Sequence, residues 1–149
     1  MSIYAARLRS LFTAIAAALI VFGIYLTSLS SEGTASRSEL ATMAAMVQQS
    51  VDYEIALRDN QPTLIEFYAD WCTTCRSLAP VLSKLHQETE AVDIVMLNVD
   101  EPRWTQQVKM YQVKGVPHLT FLNSRGEIVE TLVGKVPETE IRQVVQHLS

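Results

Sequence analysis

Cys72 and Cys75 are the only cysteines in the 149-residue sequence, and they stand three positions apart. A thiol becomes a nucleophile as its thiolate, so reactivity depends on what stabilises the anion. The residues before the pair, Thr63 to Ala69 (TLIEFYA), read as a buried strand carrying a single acid. Those from Cys72 to Glu88 read as a helix, which Pro80 should kink. The cysteines therefore sit where a strand hands over to a helix. A helix start presents unpaired N–H groups and about half a unit of positive charge. A Cys72 thiolate is favoured there, which lowers its pKa. Cys75, one turn on, lies within reach and can close a disulfide. The pair suits a two-step exchange: Cys72 attacks a substrate disulfide, and Cys75 then attacks Cys72 and frees the reduced substrate. Thr73 and Thr74 supply hydroxyls and N–H groups near the sulfurs and should tune the redox poise.

Other chemistries fit less well. A structural zinc site needs four ligands, usually from two such pairs. Here there is one pair, and His86, His118 and His147 show no ligand spacing, so no metal is expected. A c-type haem needs His directly after the second Cys, and that residue is Arg76. A purely structural disulfide closing so small a loop adds little stability.

Around the pair, Glu66 lies in the apolar strand six residues before Cys72. Burial without a partner should raise its pKa. A proton acceptor for Cys75, through water, is the functional reading; a solvent-touching acid at a strand edge is the plain one. Trp71 is read either as a cover over the sulfurs with an apolar docking face, or as ordinary half-buried packing. Asp70 reads as a surface acid, and Trp104 and Tyr111 as helix packing. His118, with no second ligand or nucleophile beside it, reads as a core or surface residue rather than a partner contact.

The elements that must position these residues follow from pattern. Glu39 to Gln49 reads as a helix with a stripe at Leu40, Ala44 and Val47, which Val51 to Arg58 continues or restarts. Asp59 to Pro62 is a turn. Ile94 to Val99 is a second buried strand, and Pro102 to Tyr111 a helix with proline in its first turn. Leu119 to Asn123 and Glu127 to Val133 form a hairpin around Ser124-Arg125-Gly126. Glu138 to Leu148 closes the chain as a helix with Ile141, Val144, Val145 and Leu148 inward. This order predicts an α/β fold, a central mixed β-sheet flanked by helices.

Residues 11–29 (LFTAIAAALIVFGIYLTSL) carry no charge. At about 1.5 Å per residue such a run crosses a ~30 Å hydrocarbon layer. It reads as a single N-terminal transmembrane helix, an anchor after a short cytoplasmic N-terminus, residues 1–10. Arg7 and Arg9 precede it, which keeps that end in the cytoplasm and sends the following domain across the membrane. A signal peptide cut after Ala35 is the alternative. A buried core helix does not fit, because the run has no polar face and abuts a linker. Residues 30–38 form that linker, and residues 39–149 the domain. Residues 40–149 hold nine Lys/Arg and fourteen Asp/Glu. With no basic stripe, nucleic acid is excluded as a partner.

Taken together, Glu66-Phe67-Tyr68-Ala69-Asp70-Trp71-Cys72-x-x-Cys75, then Ala79-Pro80 and Gly115-Val116-Pro117, resemble the thioredoxin superfamily. Phe121, Gly126 and Gly134 fall where that fold's last hairpin needs them. Asn98-Val99-Asp100 followed by Trp104, and Gly115-Val116-Pro117-His118, further resemble membrane-anchored thioredoxin-like proteins of cyanobacteria and thylakoids, the TxlA type. The resemblance implies a thioredoxin fold in which Val116-Pro117 is a cis peptide that exposes the Val116 backbone for substrate pairing; the residues alone allow a trans proline opening a strand. It implies a redox-active Cys72–Cys75 disulfide with no other cofactor. It also implies a thiol–disulfide oxidoreductase reducing protein disulfides in the thylakoid lumen or periplasm. Its electrons would come through a membrane thiol transporter of the CcdA type, and its clients would include apocytochromes. Three departures stand out: Thr73-Thr74 replaces Gly-Pro, Glu66 replaces a buried aspartate, and Met96 replaces the lysine near that acid. A disulfide oxidase or isomerase of the same fold, and a non-catalytic anchored binding module or assembly chaperone, are the competing functions.

Overall fold

The structure is a computed structural model and describes residues 37–148. The expected anchor (11–29), its linker and the Arg7/Arg9 flank lie outside the described residues, apart from the last two linker positions. Among the described residues, no helix is long and apolar enough to cross a membrane. The first described element is a helix, α1, over 37–49. There follow α2 (Tyr53–Ala56), β1 (Thr63–Tyr68), α3 (Thr73–Glu88), β2 (Asp93–Asn98), a 3-10 turn (Pro102–Trp104), α4 (Thr105–Met110), β3 (His118–Leu122), β4 (Ile128–Val133) and α5 (Glu138–Leu148).

The four strands form one mixed sheet in the order β2-β1-β3-β4. β1 is central, parallel to β2 and antiparallel to β3. All six of its residues are buried, as a strand covered on both faces must be, and this is why it reads as a near-continuous apolar run. Alternation along β1 divides the core in two. Leu64 and Tyr68 face α1, α3 and α5, packing with Met43, Met46, Leu78, Leu82, Phe121, Ile141 and both cysteines. Ile65 and Phe67 face α2 and α4, packing with Tyr53, Ala56, Val95, Leu97 and Leu122. On this second face Tyr53, Trp104 and Tyr111 form edge-on aromatic contacts, and the Tyr53 and Tyr111 hydroxyls share a hydrogen bond of 3.2 Å. Trp104 and Tyr111 thus pack, as their sequence positions suggested.

Local chemistry fixes the element ends. Val51 to Arg58 restarts a helix rather than extending α1, because Asp52 caps α2 by accepting from the Glu54 and Ile55 N–H groups. The helix expected from Pro102 opens as a 3-10 turn before α4. It stops at Gln112, whose φ of 52° is left-handed, a common helix ending. The hairpin turn is held by Asn123, whose Oδ1 accepts from the Arg125 and Glu127 N–H groups at 2.9 and 3.1 Å. Gly126 takes φ 74° there, a conformation glycine adopts without steric cost. α3 runs on through Pro80, which has no N–H to offer the carbonyl of Arg76.

Candidate functional site

The site sits beyond the carboxyl end of β1, where ligand chemistry in sheets with parallel strands commonly gathers. Cys72 is the residue that caps α3, not its first helical residue. Its backbone is extended (φ −77°, ψ 103°), and its sulfur accepts the Cys75 N–H at 3.1 Å. That bond takes the place a serine or aspartate oxygen fills in an ordinary cap, and it leaves a donor ready for a sulfur anion. The pair is joined as a disulfide, with 5.3 Å between Cα atoms. Cys72 keeps a 4% exposed fraction while Cys75 has none. The partner disulfide can therefore approach only Cys72, and Cys75 must act from inside.

Neighbouring residues complete the surface. Trp71 is 66% exposed, and its indole N–H donates to the Asp100 carboxylate at 2.9 Å. This is an apolar face held in place from the far end of β2. Asp100 is itself fixed by its N–H, which donates to Asn98 Oδ1 at 3.0 Å. Thr73 is exposed and Thr74 half-buried. Thr73 Oγ1 accepts from Arg76, and the Thr74 carbonyl accepts the Ser77 hydroxyl at 2.8 Å. The Val116–Pro117 peptide is cis. Val116 packs against the cluster that contains both cysteines. The Pro117 carbonyl accepts the Gly134 N–H at 2.9 Å, whereas among the described residues no backbone bond engages Val116. A groove of about 220 Å³ leads away from Thr74, between Leu78 and Val81 on α3 and the segment Gly134-Lys135-Val136.

Glu66 is wholly buried. Its strand partners are Met96 on β2 and Leu119 on β3, and it shares the parity of Leu64 and Tyr68, so it points to the face that holds the cysteines. Neither carboxylate oxygen has a hydrogen-bond partner among the described residues. Burial alone pushes its pKa from the ordinary 4.5 to about 8. The solvent-touching alternative for this acid is thereby excluded. His118 lies on the opposite face, 4% exposed and edge-on to Phe67 at 5.6 Å. Burial lowers its pKa, and it packs as a core residue. Among the described residues no cluster of His, Cys, Asp and Glu could hold a metal ion. The sequence assigned neither Asp100 nor Arg76 a catalytic or docking role. Only the fold brings the end of β2 to Trp71, and nothing in a lone arginine marks its two acceptors.

A redox-ready disulfide at a helix cap, flanked by an exposed indole, shares its face of the sheet with a buried acid, and the residue before the cis proline packs against the same core; together these define a dithiol–disulfide exchange centre. The protein is a thiol–disulfide oxidoreductase. The sequence pattern of the thioredoxin family matches residues 43–147, and the chain belongs to that family. Thiol:disulfide interchange protein TxlA of Synechococcus elongatus is 37% identical over 134 residues, 89% of this chain and 67% of that protein. The chloroplastic thioredoxin-like protein HCF164 of Arabidopsis thaliana is 39% identical over 105 residues, 70% of this chain and 40% of that protein. Among solved structures, a thioredoxin variant from Halobacterium salinarum superposes with a TM-score of 0.57 at 32% identity, covering 66% of this chain and 86% of that chain. Family membership implies disulfide-containing proteins as clients.

Proposed function

We propose that this protein is a membrane-anchored reductant of protein disulfides on the lumenal or periplasmic side, held by the segment 11–29, with apocytochromes among its clients. The observation that carries the exchange chemistry is the Cys72–Cys75 disulfide at the cap of α3, with Cys75 inaccessible behind Cys72. The uncharged run and its Arg7/Arg9 flank support the anchor and its direction. The relatives' printed names, a thiol:disulfide interchange protein and a chloroplastic thioredoxin-like protein, support the setting.

In each turnover the Cys72 thiolate attacks one sulfur of a client disulfide, and the other client sulfur leaves as a thiolate. The exposed Trp71 and the unengaged Val116 backbone hold the client strand alongside. The Cys75 thiol then gives its proton, through water, to Glu66 in its ionised form, a minor fraction near neutrality that grows as pH approaches about 8. Its sulfur attacks Cys72, closes the internal disulfide and releases the second client thiol. Two electrons from the dithiol of a CcdA-type membrane transporter reopen the pair.

The test is a Cys75→Ser variant in intact membranes. It should accumulate mixed disulfides on Cys72, and the captured clients should be exported proteins. No captured protein, together with full function of a Cys72→Ser/Cys75→Ser chain, refutes the exchange reading. A Cys72–Cys75 potential near about −270 mV supports reduction, while one near about −120 mV assigns the protein to oxidation instead. Alkylation of Cys72 by a membrane-impermeant reagent tests the topology; labelling only after lysis, in cells with a permeabilised outer layer, refutes it.

A further inference from the structure

We propose that Arg76 is a positioning residue for Cys72, stapling the turn that carries the nucleophile and holding an unneutralised cation beside its thiolate. The inference rests on the reading of Cys72 as the attacking sulfur. Arg76 lies in the opening turns of α3 and is half-buried. Its Nη1 donates to the carbonyl of Asp70 at 3.3 Å, and its Nη2 to the hydroxyl of Thr73 at 3.1 Å. Those acceptors stand two residues before Cys72 and one after it. The same turn is closed from inside by the Cys72 N–H, which donates to the Ala69 carbonyl at 3.0 Å. One side chain thus spans the outside of the turn, and its planar fork matches two separate acceptors as an ammonium would not.

Two further observations set this arginine apart. Arg58, Arg103, Arg125 and Arg142 each form an ion pair with a glutamate. Arg76 binds only neutral oxygens and has no ion pair among the described residues. Its Nε is buried with no acceptor. Moreover, a cation near a helix N-terminus opposes the helix dipole, so its placement costs stability. A site that must carry an anion there offsets that cost. The other charges near the site are mostly acidic, Asp70 on the preceding loop and Asp100 against Trp71, with Lys135 across the groove from Thr74. Arg76 counters these acids where the Cys72 anion forms.

The experiment is the pH profile of Cys72 alkylation by iodoacetamide in the reduced full chain, comparing wild type with Arg76→Lys, Arg76→Gln and Arg76→Met. Loss of a unit charge bonded to the residues on either side of Cys72 should raise the midpoint in the Gln and Met variants. The rate at pH 6 should then fall about three- to ten-fold. Arg76→Lys keeps the charge but loses the fork, so its midpoint should fall between wild type and the Gln and Met variants, a partial rescue that a merely structural role does not predict. The Met variant keeps the packed stem, so it reports if the Gln variant fails to fold. A folded Gln or Met variant with an unchanged profile overturns the proposal and leaves the exchange reading standing. A wild-type protein whose Cys72 reacts no faster than free cysteine defeats that reading first.

Discussion

Glu66→Gln isolates the most unusual group in the protein. The carboxyl is fully buried between Met96 and Leu119 with no hydrogen-bond partner among the described residues, and burial raises its pKa from 4.5 to about 8. Between those two values the folded protein holds a proton that the unfolded chain has lost. Unfolding free energy therefore falls as pH rises through that window, and is flat with respect to this group below and above it. At about 1.4 kcal/mol per pH unit, the full loss amounts to about 5 kcal/mol, a large part of the roughly 5–15 kcal/mol a domain possesses. Glutamine has nearly the same shape and never ionises. Urea unfolding of the oxidised protein should give similar stabilities for wild type and Glu66→Gln at pH 5. The variant should pull ahead up to about pH 8 and hold that lead to pH 9. Every other titrating group is common to both chains and cancels in the difference. In the reduced protein the same substitution should slow release of a mixed disulfide, because the acceptor for the Cys75 proton is gone. The wild-type release rate should rise with pH through about 8, as the Glu66 carboxylate forms. Parallel stability profiles for the two proteins from pH 5 to 9 would show that Glu66 is solvated or paired in solution, and the proton-acceptor argument would fall with it.

Three more outcomes follow from packing, capping and surface geometry. Phe67 is fully buried against Tyr111 and His118, so Phe67→Ala should lower the urea unfolding free energy by about 3–5 kcal/mol; a loss under about 1 kcal/mol contradicts the packing described. Asp52→Ala removes the cap on α2 and should cost about 1 kcal/mol, read from the same curves. Trp71→Phe breaks the surface bond to Asp100 and should change stability by less than about 1 kcal/mol. It should lower kcat/KM for a protein disulfide, mainly through KM; unchanged kinetics would remove Trp71 from the docking face.

Much of this protein was legible in its residues because the governing forces are local. The burial of β1 showed in TLIEFY and the β3–β4 turn in Ser124-Arg125-Gly126; the pattern starts α3 one residue early, at Cys72, which proves to be its cap. Propensity, periodicity and turn chemistry operate within a few neighbours, and there the expected elements match the observed ones to within a residue or two. The likeness of the Gly115-Val116-Pro117 run to a known family added the cis peptide, which residue types alone left open.

What no window of sequence contains is the company a residue keeps across the sheet. Strand order places Met96 and Leu119 on either side of Glu66, and only that enclosure raises the pKa of an ordinary acid well above the usual carboxylate range. The same order sends His118 to the face away from the cysteines, and brings Asp100 within a hydrogen bond of Trp71, 29 positions earlier. Desolvation and long-range hydrogen bonding depend on every atom within a few ångströms, whatever its place in the chain. The cysteine pair and its helix were therefore decided by sequence, while the ionisation of Glu66 and the fixing of Trp71 waited for the fold.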